Sequence, residues 1–385
     1  MFLRELEGLK ENGLLREIKD RDRASPQGRL ISIGKRHCLL NFASNDYLGL
    51  ANHPAVVEAA KKALTEFGAG AGASRLLSGG TTLHKKLETA LARFKGTGSA
   101  LIFNSGYSLN TGLIPAVAAE GDALFSDELN HASIVDGCRL SRAKKHIYRH
   151  KDVGHLEELI KKSDARRKVV VTDAVFSMDG DIAPLNDLYA LCKAEGAALY
   201  IDDAHGTGVT GKGKGTLKHF GLKPVPFVIE MGTLSKALGS FGAFLTGPKE
   251  TVGWAVNNAR CLIYSTALPP SPVGAALKAL ELVGTDGARI ERLWANRDML
   301  LSALQRLGLD TGESETPIIP VMLKDVQDAL GMSRRLLAAG IYAPAIRPPT
   351  VKQPRLRLTV TASHTDEDIE RLIRALNNKC RSKAT

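Results

Sequence analysis

Leu199-Tyr200-Ile201-Asp202-Asp203-Ala204-His205 is an apolar run that ends in a carboxylate. A second run, Phe227-Val228-Ile229, leads into Gly232-Thr233-Leu234-Ser235-Lys236-Ala237-Leu238-Gly239 and so delivers a lysine. Short continuous apolar runs bounded by small and polar residues read as strands buried on both faces of a parallel sheet. Lys236 therefore stands just past the end of a buried strand, among small and hydroxyl residues. Lysines ordinarily serve as solvated spacers, so this placement asks for a chemical reason.

Working outward, the same texture recurs at Ala100-Leu101-Ile102-Phe103, Ala123-Leu124-Phe125, His146-Ile147-Tyr148, Val169-Val170-Val171 and Ala243-Phe244-Leu245. Seven such runs, all read as parallel strands, predict one large α/β sheet. Helices fall between them. Leu83, Leu87, Leu91 and Phe94 share a helical face by their spacing of three and four, and Leu185, Leu188, Leu191 and Cys192 do likewise. Beyond residue 270 the pattern changes to helix over Ser271 to Leu307. Strands at 318–323 and 355–360 follow, with a closing helix over 366–377, as in a smaller α+β lobe. The expected domains are an N-terminal arm over 1–45, a large α/β domain over 46–280 and a small C-terminal domain over 281–385. The first residues read as a short amphipathic helix, not a signal peptide.

With 385 residues the chain can bury a large core in two or more lobes. No apolar stretch approaches the ~20 residues that a membrane span needs. The five cysteines are odd in number and widely spaced, with no C-x-x-C, which argues against a disulfide framework or a zinc site and for a reducing cytoplasm. The net charge of +11 comes from scattered basic residues without an aromatic platform, so nucleic acid is not the expected partner. A basic mouth for a polyanionic small substrate is the functional alternative to a merely solvated surface.

Two phosphate motifs overlap after Ile201. Gly206 to Gly211 matches G-x-G-x-x-G, and Gly206 to Lys212 matches G-x-x-x-x-G-K. The first fails because its glycines do not follow the strand directly. The second fails because Gly213 stands where Ser or Thr must bind magnesium. Asn104-Ser105-Gly106-Tyr107 follows a strand and opens a helix. It is either an ordinary start capped by Ser105 or a phosphate site on the helix N-terminus, with Gly106 allowing close approach. His131 is either a polar cap or a ring that stacks on a planar cofactor. Asp202 with His205 either begins a loop or holds a cofactor. Together, a strand-end lysine and a strand-end aspartate fit pyridoxal phosphate (PLP). Lys236 can hold it as a Schiff base and Asp202 can pair with its pyridinium nitrogen.

Five blocks occur in one order: Ser44-Asn45-Asp46-Tyr47-Leu48-Gly49-Leu50, 126–133, Val175-Phe176-Ser177-Met178-Asp179-Gly180-Asp181, 202–208 and 232–236. On these blocks the chain resembles the α-oxoamine synthases, fold-type I PLP enzymes, over essentially its whole length. Ala345-Ile346-Arg347-Pro348-Pro349-Thr350-Val351, with Arg355-Leu356-Arg357-Leu358-Thr359, resembles the members that join L-alanine to a pimeloyl thioester. Lys10 to Arg16 resembles their N-terminal substrate-contacting segment. The resemblance implies a large, mostly parallel seven-stranded sheet domain with a smaller α+β domain. It implies that Lys236 tethers PLP and moves protons, Asp202 pairs with the pyridinium, and His131 stacks on the ring and bonds the thioester carbonyl. It places Ser177 and His205 at the ring oxygen, Gly106 and Tyr107 at the cofactor edge, and Thr233 at the phosphate. Ser265 and Thr266 would reach the neighbouring subunit's phosphate, which implies a homodimer with shared sites. Arg357 would anchor the amino-acid carboxylate, and Arg16, Arg347 and Thr350 would contact the acyl substrate. The carrier is coenzyme A or acyl-carrier protein, and sister enzymes using glycine and a short acyl-CoA are the alternative.

Overall fold

The computed structural model describes residues 2–18, 20–21, 28–33 and 36–381, with residues 36–37 and 378–381 given by backbone alone. The chain divides into two compact units, residues 53–177 with 182–290, and residues 1–52 with 178–181 and 291–385.

The first of these units is built on a seven-stranded sheet. Its spatial order is Ser99–Phe103, Ala243–Gly247, Val228–Thr233, Ala198–Asp202, Lys168–Asp173, Ala123–Asp127 and Lys144–Tyr148. All seven apolar runs of the sequence are in it. Alternate strand residues supply two separate cores. Leu124, Val169, Val171 and Tyr200 pack with Leu109, Leu113 and Ile134 on one face. Phe125, Val170, Leu199 and Ile201 pack with Leu156, Leu188 and Cys192 on the other. Both faces of the sheet are thus covered, as continuous apolar runs demand.

Two expectations need correction. The Ala243–Gly247 strand runs antiparallel to both of its neighbours. A parallel crossover needs a dozen or more residues, and the link from Thr233 to Ala243 is shorter than that. The Lys144–Tyr148 strand is an edge, not a buried strand, and Ile147 is 56% exposed. Lys144 and Lys145 discourage further strand pairing there.

Within this sheet the strands ending at Asp127, Asp173 and Asp202 run parallel, and the Val228–Thr233 strand joins them in the same sense. Chain order reverses between the Asp127 and Asp173 strands. The loops at their carboxyl ends are where open α/β sheets place ligands.

The other unit holds two three-stranded sheets. One joins Leu30–Ile33, Arg36–Asn41 and Ile341–Tyr342; the other joins Ile318–Met322, Arg355–Thr359 and Ala345–Ile346. The helix Leu3–Glu11 buries no residue, and Asp366–Arg381 is the last helix of the chain. Among the described residues no helix is long and apolar enough to cross a membrane, and none of their His, Cys, Asp and Glu side chains cluster as metal ligands. Cys38, Cys138, Cys192 and Cys261 are free; the side chain of Cys380 lies outside the described residues.

Candidate active site

Asp202 ends its strand buried, and both of its oxygens are fixed. Oδ1 accepts the Ala204 N–H at 3.0 Å and Oδ2 accepts Asn110 Nδ2 at 2.7 Å. Asn110 lies on the helix Gly106–Val117, which packs its Leu109 and Leu113 face against the sheet. Ser105 caps that helix, its Oγ accepting the Ser108 N–H at 3.1 Å. The leading N–H groups of such a helix, those of Gly106 and Tyr107, favour an anion. A Cβ added at Gly106 would meet only Met231 Cε, at 3.4 Å, so its backbone is open to close approach. The Tyr107 side chain is half-exposed and its hydroxyl bonds Asp136.

Lys236 follows the Val228–Thr233 strand in a tight bend closed by the Gly239 N–H on the Lys236 carbonyl at 2.8 Å, and its side chain is half-buried. Thr233 Oγ1 donates to the Gly242 carbonyl at 3.0 Å and accepts the Ser235 N–H at 3.1 Å. His131 is the N-cap of the helix Ala132–Leu140. The residue is exposed, while Nδ1 lies 2.8 Å from Ser133 Oγ and accepts the Ser133 N–H at 3.2 Å. Desolvation holds the imidazole below the usual histidine range; the Asp202 charge opposes the shift and the Lys236 charge reinforces it. His205 is buried in the turn after Asp202, and Ser177 is half-buried after the Asp173 strand. Thr266 is exposed; its carbonyl accepts Asn104 Nδ2 at 2.9 Å, beside the same helix N-terminus.

In the other unit Arg357 is buried, donating to Thr359 Oγ1 at 2.9 Å and to Asn45 Oδ1 at 3.1 Å. Arg347 donates to the carbonyls of Gly13 at 2.6 Å and Leu15 at 2.7 Å. Arg16 reaches Thr350 Oγ1 at 3.1 Å. These three residues thus meet, with Arg347 fastening the backbone that carries Arg16.

Sequence reasoning does not single out Asn110, Ser133, Tyr200 or Asp173. Asp173 accepts the His131 N–H at 2.7 Å and stands in register with Asp202. Its signal was available, since it too is a carboxylate ending an apolar run. Nor does the sequence announce a buried ion cluster: Lys95 Nζ lies 2.8 Å from Asp203 Oδ2 and 2.7 Å from Glu230 Oε1. Asp203 in turn accepts Thr207 Oγ1 and Thr216 Oγ1, tying the loop that carries His205.

The family model "Aminotransferase class I and II" matches residues 38–376. A curated 8-amino-7-oxononanoate synthase of Geobacter metallireducens is 48% identical, with 97% of this chain and 96% of that protein covered. One of Symbiobacterium thermophilum is 45% identical over 97% and 96%. A solved serine palmitoyltransferase from S. paucimobilis, with a bound PLP–myriocin aldimine, superposes at a TM-score of 0.93 and is 30% identical, covering 99% of this chain and 97% of that one. The chain therefore belongs to the class I and II aminotransferase family, on the fold-type I scaffold. Within that family it belongs with the 8-amino-7-oxononanoate synthases, enzymes of the acyltransferase type.

Proposed function

We propose that this chain uses PLP to join L-alanine to a pimeloyl thioester, carried on coenzyme A or on an acyl-carrier protein, giving 8-amino-7-oxononanoate, carbon dioxide and free carrier. The observation that carries this reading is Asp202, a buried strand-end carboxylate with both oxygens oriented, on the strand next to the one that delivers Lys236. The donor set fits the cofactor: an amine to tether it, a carboxylate for its ring nitrogen, and a helix N-terminus with an open glycine for its phosphate.

When bound, PLP supplies an electron sink for negative charge on the substrate α-carbon. Lys236 Nζ is the tether and then takes and returns the α-proton. Asp202 would keep the cofactor's ring nitrogen protonated through its negative charge, and its bonds to Asn110 and Ala204 hold the carboxylate in place for this. His131 would stack on the cofactor ring and bond the thioester carbonyl. Ser177 and His205 serve the ring oxygen, and Gly106, Tyr107 and Thr233 the phosphate. Ser265 and Thr266 serve the phosphate of a neighbouring subunit in a homodimer. Arg357 takes the amino-acid carboxylate, and Arg16, Arg347 and Thr350 take the acyl end.

The test is turnover of the purified protein with PLP, comparing alanine plus pimeloyl-CoA or pimeloyl-carrier protein against glycine plus acetyl-CoA or succinyl-CoA. Product only from glycine would move the chain to the sister activity. A protein that shows no visible cofactor absorbance would overturn the reading.

A further inference from the structure

We infer that Asn110 and Ser133 are positioning residues that hold His131 as a neutral imidazole with its proton on Nε2, through a directional hydrogen-bond chain beginning at Asp202. This rests on the proposed function only in placing His131 at the reacting centre.

The chain has one allowed polarity. The carboxylate oxygen Asp202 Oδ2 accepts from Asn110 Nδ2 at 2.7 Å, so the amide nitrogen must face it. Flipping the amide would set two acceptors against each other. Tyr200 OH, donating to Asn110 Oδ1 at 2.7 Å, completes the amide's fully buried surroundings. The same Nδ2 reaches Ser133 Oγ at 2.9 Å with its second hydrogen. Ser133 Oγ is thereby an acceptor toward Asn110, and its own hydrogen is left for His131 Nδ1 at 2.8 Å. The Ser133 N–H points at that same Nδ1, at 3.2 Å, as the helix cap. A proton on Nδ1 would face this N–H, donor against donor. Nδ1 is therefore the acceptor and the proton sits on Nε2.

Three titratable groups face this histidine. Asp173 takes its backbone N–H, and Asp202 and Lys236 act on its ring with opposite sign. None of them bonds Nδ1 among the described contacts, so the choice of tautomer falls to Ser133 and, behind it, Asn110. The outcome is an imidazole that offers an N–H to a substrate oxygen and resists taking a second proton.

Long-range proton–nitrogen NMR on protein labelled with nitrogen-15 histidine, with His131→Gln for assignment, reads the tautomer without turnover. The wild type is expected to show Nε2–H and to titrate below the usual histidine range. Removing a donor to the neutral form makes protonation easier, so Asn110→Leu and Ser133→Ala are expected to move the His131 titration to higher pH. Ser133→Thr keeps the hydroxyl and is expected to titrate like wild type. A wild-type Nδ1–H tautomer would overturn the inference, as would an unmoved titration in Ser133→Ala. Should Asn110→Leu fail to fold, the wild-type spectrum and the Ser133 pair still decide. A protein that holds Nε2–H yet makes no product from alanine and a pimeloyl thioester refutes the proposed function and leaves this inference standing.

Discussion

Asp173 and Asp202 stand side by side, in register on adjacent parallel strands, and both are buried. Burial and the neighbouring Asp202 push the Asp173 carboxyl well above the ordinary carboxylate range, against the pull of the His131 N–H and the Lys236 charge. A carboxyl with a raised folded-state pKa keeps its proton longer in the native state than in the unfolded chain. It therefore disfavours the native state increasingly as pH rises above the ordinary carboxylate range. Asp173→Asn keeps an acceptor for the His131 N–H and cannot ionise. Its stability relative to wild type should improve from pH 5 to pH 8, as measured by urea denaturation at each pH.

Lys236 and Asp202 should separate cleanly in kinetics. Lys236→Ala should remove the visible cofactor band and lower turnover by at least ~10³-fold, since tether and proton carrier vanish together. Asp202→Asn should still bind PLP but lose roughly 10²-fold in turnover, because a neutral amide no longer stabilises the protonated ring nitrogen. Absorbance spectra and steady-state kinetics check both, and full activity in the Lys236 variant would remove its assigned role.

Lys95 neutralises two acids in a dry site. Lys95→Met leaves Asp203 and Glu230 buried without their counter-charge and should cost about 3–5 kcal/mol in urea denaturation. The carboxyl of Glu230 is already pushed up to about 7, chiefly by burial, so Glu230→Gln should be much the milder change near neutral pH.

His364 should set a pH limit on the other unit. It stacks on Phe42 with ring centroids 4.3 Å apart, accepts the Thr361 N–H on Nδ1 at 3.0 Å and places Nε2 3.1 Å from the Asn41 carbonyl. Burial lowers its pKa to about 4. The unfolded chain takes up the proton first, so stability rises with pH through this window. The contribution is complete above about pH 6.5 and fades toward pH 4, a loss of up to about 3 kcal/mol. His364→Phe keeps the stack and should flatten this slope, while costing about 1–3 kcal/mol throughout from the unmet partners. An unchanged slope in the variant would show that other groups control acid sensitivity.

Arg347 should act on the segment it fastens. Arg347→Ala frees the carbonyls of Gly13 and Leu15 and should speed tryptic cleavage after Arg16. Equal cleavage rates in variant and wild type would deny that fastening role.

Most of the fold was legible in the chain. Strands buried on both faces must be continuously apolar, so Val169 to Val171 and Leu199 to Ile201 announce themselves. Ala243 to Leu245 looks identical whichever way it runs, and only its short link to Thr233 betrays the antiparallel direction. The Lys144–Tyr148 edge is not legible in the sequence, because three residues, His146 to Tyr148, carry too little pattern to separate an edge from a centre.

The sequence by itself determined the chemistry at single positions: an amine at Lys236, a carboxylate at Asp202, an imidazole at His131, each at the end of a recognisable strand or the start of a helix. Tertiary structure decided how those groups are held. Asn110 comes from a helix, Tyr200 from an apolar strand and Ser133 from a second helix, and each taken alone is unexceptional. Their meaning lies in which atom donates to which. That is a property of three segments brought within hydrogen-bond reach, where burial leaves no water to substitute for a missing partner.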